Sequence, residues 1–431
     1  MPTARLPSLL TGKRLFIVLF LLFNVIINFI DRVNLSIAAP AIAKQFQWDA
    51  ATMGWVFSAY LWTYTLCLIP CGWLVDRMGT RLVSAVSIIV WSASAMLTGA
   101  VTNFTNVIAV RLGLGVGEAA AMPACNKVIR QWFPSSERAF ATAIFHSGVF
   151  VSVAIANPLV AWLVLHSGWR WSFVIVGALG FVWLFFWLRW FQVPEQCSWL
   201  PEPERELILR HRDYVTDAPQ SNLWAVTATL LRQKTMWGLA LTEGCVNYMN
   251  YLFLSWLPSY LMHDRGMTLM QAGLYGTIPY IVGVGLELFF GRMSDRILTP
   301  DRLKKGGRRN QVTLFLILSS VILLIGVVHT KWAILALISL ALSFNTTTVT
   351  FMYSLTNDLV EDPHIAGAAF GVMLVGGNLF GMAAPVVTGY LVKATGNFTS
   401  AFGLSGLVAL AGAAMAFWWT RTPIRGVVKT R

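Results

Sequence analysis

In the stretch NVIINFIDRVNLSIAAP, residues 24–40, Asp31 and Arg32 stand side by side inside an apolar run that begins at LFIVLFLLF. Arg111 and Glu118 stand seven residues apart in a second such run, RLGLGVGE. A charge at bilayer depth is expensive, and side chains of this kind mark ion, proton or substrate pathways. A guanidinium stays protonated and binds a carboxylate through two parallel hydrogen bonds. Arg32 is therefore the first choice for an anionic substrate. Asp31 cannot serve the same anion while ionised, so it is expected to pair with Arg111 and to take up a proton when that pair opens. Glu118 lies about 10 Å deeper than Arg111 at 1.5 Å per residue. No cation is expected beside it, which suits a proton carrier. Asp31, Glu118 and Arg111 thus form the expected proton-coupling set.

These residues need elements that hold them at depth. The 431-residue chain is 56% hydrophobic and only 12% charged, with a mean hydropathy of +0.64. Soluble proteins carry about 25% charged residues, so the composition is that of a polytopic membrane protein. Twelve apolar stretches are long enough to span a bilayer, the first at about 15–38 and the fourth at about 106–130. Gly and Pro within them, and no strand-like alternation, make them helices. The formal charge of +13 does not indicate nucleic acid, because the basic residues cluster in loops. With the N-terminus in the cytoplasm, 24 of the 32 Lys and Arg residues fall on that side and 5 on the other. This asymmetry places both termini in the cytoplasm. The acidic tenth connection, with Asp358, Glu361 and Asp362, is expected to pair with nearby basic loops. Five cysteines lack the spacing of a metal or redox site, and no cofactor is expected.

The longest polar loop divides the spans six and six. Residues 1–192 form an N-terminal six-helix bundle, 193–235 a cytoplasmic interdomain loop, and 236–431 a C-terminal six-helix bundle. Positions 24, 28, 72, 76 and 77 recur at 243, 247, 291, 295 and 296, one constant offset, and only Asn24 to Glu243 changes residue type. Duplicated halves imply a transporter with its site near the midplane. Asn24, Asn28 and Arg32 form a polar stripe on the first span, and Glu243, Asn247 and Tyr251 the matching stripe on the seventh.

The segment GWLVDRMGTR, residues 72–81, resembles the signature loop of the major facilitator superfamily. RLGLGVGEAAAMPACNKVIRQWFPSSERAFATAIF and GVMLVGGNLFGMAAPVVTGYLVKATGNF resemble the fourth, fifth and eleventh helices of its anion:cation symporter branch, which includes bacterial sugar-acid symporters. The resemblance covers nearly the whole chain. It implies an all-α fold of twelve transmembrane helices in two pseudo-symmetric six-helix bundles. It also implies Asp31 and Glu118 as protonation sites, with Arg111 as coupling partner. Substrate-binding candidates are Arg32, Asn28, Tyr60, His146, Asn247, Tyr353 and Asn378. His146 stands where sugar-acid members often carry Asn. The gating set is Gly72, for close helix approach, with Asp76, Arg77, Arg138, Asp295 and Arg296. Asp76 is expected to accept from Arg138 and from a helix N-terminus. Lys127 is expected to snorkel toward the cytoplasmic surface. Glu243, in the inner half of the seventh span, could line the cavity or cap a local network, and Glu287, one turn before Gly291, is expected at the cytoplasmic gate.

The expected function is proton-coupled uptake of a small organic anion, a sugar acid or related carboxylate, across a bacterial inner membrane. The partners are the anion, protons and the lipid bilayer, with a single chain as the working unit. The alternative is proton-coupled efflux of drugs or metabolites, which Arg32 disfavours for cationic cargo. A sensor built on a carrier fold is the third reading, and no added sensor domain is visible. No nucleophile–base pair or metal cluster suggests an enzyme.

Overall fold

The computed structural model describes residues 12–212, 223–362 and 365–425. The first half comprises α1 (Arg14–Phe46), α2 (Ala50–Met78), α3 (Thr80–Thr98), α4 (Phe104–Glu118), α5 (Ala121–Trp132) and α6 (Ser135–Trp190). Short helices α7 (Glu202–His211) and α8 (Leu223–Leu231) follow. The second half comprises α9 (Lys234–His263), α10 (Leu269–Ile297), α11 (Pro300–Lys304), α12 (Gly307–Ser319), α13 (Lys331–Leu359), α14 (Ala366–Gly381), α15 (Ala383–Thr395) and α16 (Thr399–Trp419).

Among the described residues ten helical stretches are long and apolar enough to cross a membrane. One of them, within α6, is two spans joined at Gly168, whose φ of 78° interrupts the helix. The thirty-residue α9 falls outside that set but is long enough to cross a bilayer; counted with the divided α6, it gives the twelve spans expected. The fourth span is α4 and α5 in series, and the eleventh is α14 and α15 in series. Each break has the same local cause. A proline removes an amide donor and its ring clashes with the carbonyl four residues earlier. Pro123 does this to Ala119, directly after Glu118, and Pro385 does it to Gly381.

The residues group into two compact units. One comprises Met1–Asn34, Ala59–Ala156 and Leu163–Ala218. Its core is aromatic: the ring centroid of Trp183 stacks 4.6 Å from Phe20 and 4.9 Å from Trp187. Arg14, fully buried, ties the start of α1 to Glu204 of α7 at 3.0 Å and to Glu137 of α6 at 2.5 Å. Glu204 also accepts from the backbone amides of Lys13 and Arg14, capping the start of α1 from outside the helix.

The other unit comprises Leu35–Ser58, Asn157–Trp162 and Pro219–Arg431. It takes the end of α1 and the start of α2 into contact with α9 and α15. Ser36 Oγ donates to Ser255 O at 2.9 Å, and Ser58 Oγ donates to Met382 O at 2.6 Å. Lys393 Nζ lies 2.7 Å from Asp49 Oδ2. Two residues of the acidic connection pair with basic residues, Asp358 with Arg308 at 3.2 Å and Glu361 with Arg425 at 3.6 Å.

Candidate functional site

Three glycines on α4 bring the charged residues together. A Cβ at Gly113 would lie 2.8 Å from Ser94 Oγ, and one at Gly117 2.5 Å from Trp91 N. One at Gly115 would overlap Tyr60 O and Thr63 Oγ1. Only glycine admits such close approach of α4 to α2 and α3. Ser87 Oγ then donates to Gly117 O at 2.5 Å and fixes the last turn before Glu118.

Arg32, Asp31, Arg111 and Glu118 gather in this first unit. Asp31 and Arg111 are each 2% exposed and Glu118 1%. Arg32 donates through Nε to Glu118 Oε2 at 2.8 Å, and its Nη2 lies 2.7 Å from the same oxygen. The Arg32 guanidinium carbon lies 4.7 Å from the Phe29 ring centroid, 5.1 Å from Tyr64 and 5.4 Å from Tyr60. That of Arg111 lies 4.8 Å from the Tyr60 ring. Tyr60 therefore stands between two guanidinium groups, a cation–π arrangement that desolvation strengthens.

The pairing differs from the expected one. Glu118 has a cation, Arg32, and neither oxygen of Asp31 makes a hydrogen bond. No described carboxylate pairs with Arg111, and its Nε is likewise unpartnered. The reason is register. The sequence reading ended the first span at residue 38, whereas α1 runs through Pro40 to Phe46. Arg32 then lies as far from the end of α1 as Glu118 lies from the start of α4, fourteen residues in each case (46 − 32, 118 − 104). The two helices run in opposite directions, so these positions share a depth. Arg111 is about 10 Å shallower. Asp31 sits among all three charges without a direct hydrogen bond.

Asn28, one turn before Arg32, lies beside Glu118 with Nδ2 unpartnered. Glu118 Oε1 and the Tyr60 hydroxyl are also without hydrogen-bond partners. The cluster thus offers donors and acceptors in a buried place where a polar ligand with hydroxyl and carboxylate groups would satisfy them. The four charges sum to zero when all are ionised. A second anion on Arg32 would therefore compete with Glu118.

The remaining candidates are placed separately. In the second unit, Asn247 of α9 faces α14: a Cβ at Gly377 would lie 2.9 Å from Asn247 Nδ2. Asn378 on α14 is 8% exposed. Tyr353 packs edge-on to Phe370 at 5.8 Å. His146 on α6 is exposed, its ring 4.4 Å from that of Phe145.

The signature loop also departs from expectation. A Cβ on Gly72 would meet nothing within 4 Å, so close approach is not what Gly72 supplies here. The required glycine is Gly79, whose φ is 85°. Asp76 pairs with Lys127, Oδ1 to Nζ 3.2 Å, and not with Arg138. Lys127 is not a snorkelling side chain. Its Nζ donates to Val75 O at 2.8 Å and Asp76 O at 3.1 Å, a cation on the C-terminal carbonyls of α2. The 52-residue separation of Lys127 from Val75 hid this contact from the sequence reading. The Arg77 guanidinium carbon lies 5.2 Å from the Trp73 ring. Arg296 is exposed, and the side chain of Asp295 lies outside the described residues. Among the described residues no group of three or more His, Cys, Asp or Glu is placed to hold a metal.

A helical membrane protein with buried opposing charges and duplicated halves has the making of a secondary transporter. The sequence model of the Major Facilitator Superfamily matches residues 21–304. The chain belongs to that superfamily; it is a multi-pass membrane transporter, not an enzyme. It is 30% identical to "Probable galactarate/D-glucarate transporter GudP" of Bacillus subtilis, over 97% of this chain and 94% of that protein. It is 31% identical to the "D-galactonate transporter" of an Escherichia coli strain, over 93% and 94%. It is 33% identical to "Probable sulfoacetate transporter SauU" of Cupriavidus necator, over 90% and 89%. A solved inward-facing bacterial homologue of the human lysosomal transporter Spinster shares the fold. Its TM-score is 0.74 at 20% identity, over 95% of this chain and 97% of that one.

Proposed function

We propose that the chain is a proton-coupled symporter that takes up a small organic anion, a sugar acid or related carboxylate. The observation that carries this reading is the buried Arg32–Glu118 pair, walled by Phe29, Tyr60 and Tyr64. Glu118 Oε2 holds the Nε and Nη2 donors of Arg32, and that edge of the guanidinium cannot also serve a substrate carboxylate. Protonation of Glu118 frees Arg32 for the carboxylate of the cargo. Departure of the cargo returns Arg32 to Glu118 and sends the proton to water. Asp31, held beside Arg111 without a direct bond, is the second protonation site, and Arg111 balances its charge.

Asn28 and the Tyr60 hydroxyl are the groups that recognise substrate hydroxyls. Asn247 and Asn378 are the substrate-binding candidates of the second unit. The relatives named for galactarate, D-glucarate, D-galactonate and sulfoacetate have in common an anionic cargo, and that supports the anion reading. The protein resides in a bacterial inner membrane with both termini in the cytoplasm, where the basic loops favour them. The Lys127–Asp76 contact and the Arg14–Glu137–Glu204 cluster then lie on the cytoplasmic side, and Asp49–Lys393 on the periplasmic side. Asp49–Lys393 joins the α1–α2 connection to α15 and latches the periplasmic face during alternating access.

The test is uptake by purified protein in liposomes with an alkaline interior, screened over hexonates, hexuronates, aldarates and small carboxylates. Gradient-dependent uptake that disappears in Arg32→Ala supports the proposal. Outward movement of an organic cation, with no anion taken up, overturns it in favour of efflux.

A further inference from the structure

One buried carboxyl group stands apart from the charge cluster. Glu243, on α9, is 1% exposed, and its Oε2 makes no hydrogen bond. Among the described residues no Lys, Arg or His pairs with it. The neighbours explain why. Helices α8, α14 and α16, which pack against α9, contain no charged residue. On α10, Glu287 accepts from Thr350 Oγ1 of α13 at 2.5 Å, and Arg292, Asp295 and Arg296 lie in its last two turns. On α13, Lys331 and Asp358 are at opposite ends, and Asp358 pairs with Arg308. On α15, Lys393 pairs with Asp49.

The cover over Glu243 is backbone. A Cβ at Gly377 of α14 would lie 2.6 Å from Glu243 Cγ, and one at Gly376 2.7 Å from Ala240 Cβ. Any larger residue at 377 would hold α14 off α9. The same helix ends at Gly381, where Pro385 breaks the eleventh span. A sealed carboxyl group thus lies under a helix that has a hinge at one end. An ionised carboxylate sealed there, with no donor and no cation, would carry an uncompensated charge, which proteins tolerate poorly.

We propose that Glu243 is a further proton-binding group of the transporter, sealed as the neutral acid when α14 closes on α9 and opened to water when α14 swings about its break at Gly381. When open, the acid gives its proton to water and becomes a carboxylate. Before closing it takes a proton back. No bond to the cargo forms, so the group adds a coupling step in the second half of the protein. The proposal rests on the proton-coupled reading above.

The experiment uses the full-length protein in two ways. In lipid, infrared titration follows the protonated-carboxyl C=O band from acid to alkaline pH in wild type and Glu243→Gln. In liposomes, the same variants and Glu243→Asp are assayed for substrate counterflow and for accumulation driven by a pH gradient. The expected result is a titrating band in wild type that Glu243→Gln lacks. That variant should still exchange substrate but no longer accumulate it, and Glu243→Asp should restore accumulation. A wild-type infrared titration in Glu243→Gln, or wild-type accumulation by it, overturns the proposal. Loss of counterflow in both variants, with no missing titration, also overturns it and leaves Glu243 a packing residue. If the wild type itself accumulates nothing, the proton-coupled reading fails, and the infrared titration still decides whether Glu243 binds and releases a proton.

Discussion

Position 24 on α1 and position 243 on α9 occupy equivalent places in the two halves, yet their surroundings are opposite. Asn24 begins a stripe that leads to Arg32, within a group of two carboxylates and two guanidiniums. Glu243 begins a stripe that continues to the Asn247 amide and the Tyr251 phenol and carries no cation. The first half carries its polarity as balanced charge, and the second as neutral hydrogen-bonding groups around one isolated acid. Duplication thus preserved the helical stripe while the chemistry on it diverged. A balanced cluster can exchange one anion for another on a fixed cation. An isolated acid can only gain and lose a proton.

Removing Arg32 breaks the comparison most severely. Arg32→Ala leaves Glu118 buried without its cation and takes away the proposed anion anchor. Truncating one partner of a buried charge pair costs about 2–5 kcal/mol, so substrate affinity by calorimetry should fall roughly 100-fold. Affinity within a few-fold of wild type would place the anion elsewhere. Glu118→Gln is milder. Substrate exchange should persist while accumulation under a pH gradient is lost, and full accumulation would remove Glu118 from the coupling scheme.

Gly115→Val tests what holds the first cluster together. Its side chain would meet Tyr60 O and Thr63, and overpacking costs about 1–3 kcal/mol. A lower melting temperature is expected, together with weaker substrate binding. An unchanged melting temperature would mean that α4 need not approach α2 closely. Lys127→Met should cost about 1–3 kcal/mol through lost charge-assisted bonds to the end of α2, and should leave affinity near wild type when measured in binding.

The smallest effect is expected at Asp49. Hydrogen bonds from Lys393, then from the backbone and side chain of Thr52, hold its carboxyl down to about 2. A folded-state value below the unfolded value of about 3.9 stabilises the fold fully above that pH and is lost as pH falls through about 2. Asp49→Asn should therefore lower the melting temperature slightly and by the same amount at neutral and mildly acid pH. A shift that grows between those conditions would mean that a different group titrates.

The spans, the duplicated stripes and the signature loop were legible because each is a local or periodic feature. The partner of Arg32 was not, since it depended on where α1 ends. The apolar run gave an end near residue 38, yet the helix continues to Phe46 and lowers Arg32 to the level of Glu118. The break after Glu118 had a readable signal in Pro123, four residues beyond Ala119. The spacing of Gly113, Gly115 and Gly117 likewise announced close packing, but not which helices would fill it. The Lys127 contact joins residues about fifty positions apart, and no pattern within either segment announces it.

The central claim is that Glu118 and the substrate carboxylate compete for Arg32. The most direct test is substrate affinity as a function of pH, by calorimetry, in wild type and Glu118→Gln. In wild type, affinity should rise as pH falls, by up to about tenfold per pH unit for one coupled proton. In Glu118→Gln it should be high and should lose most of that dependence. The same pH dependence in both proteins would contradict the account.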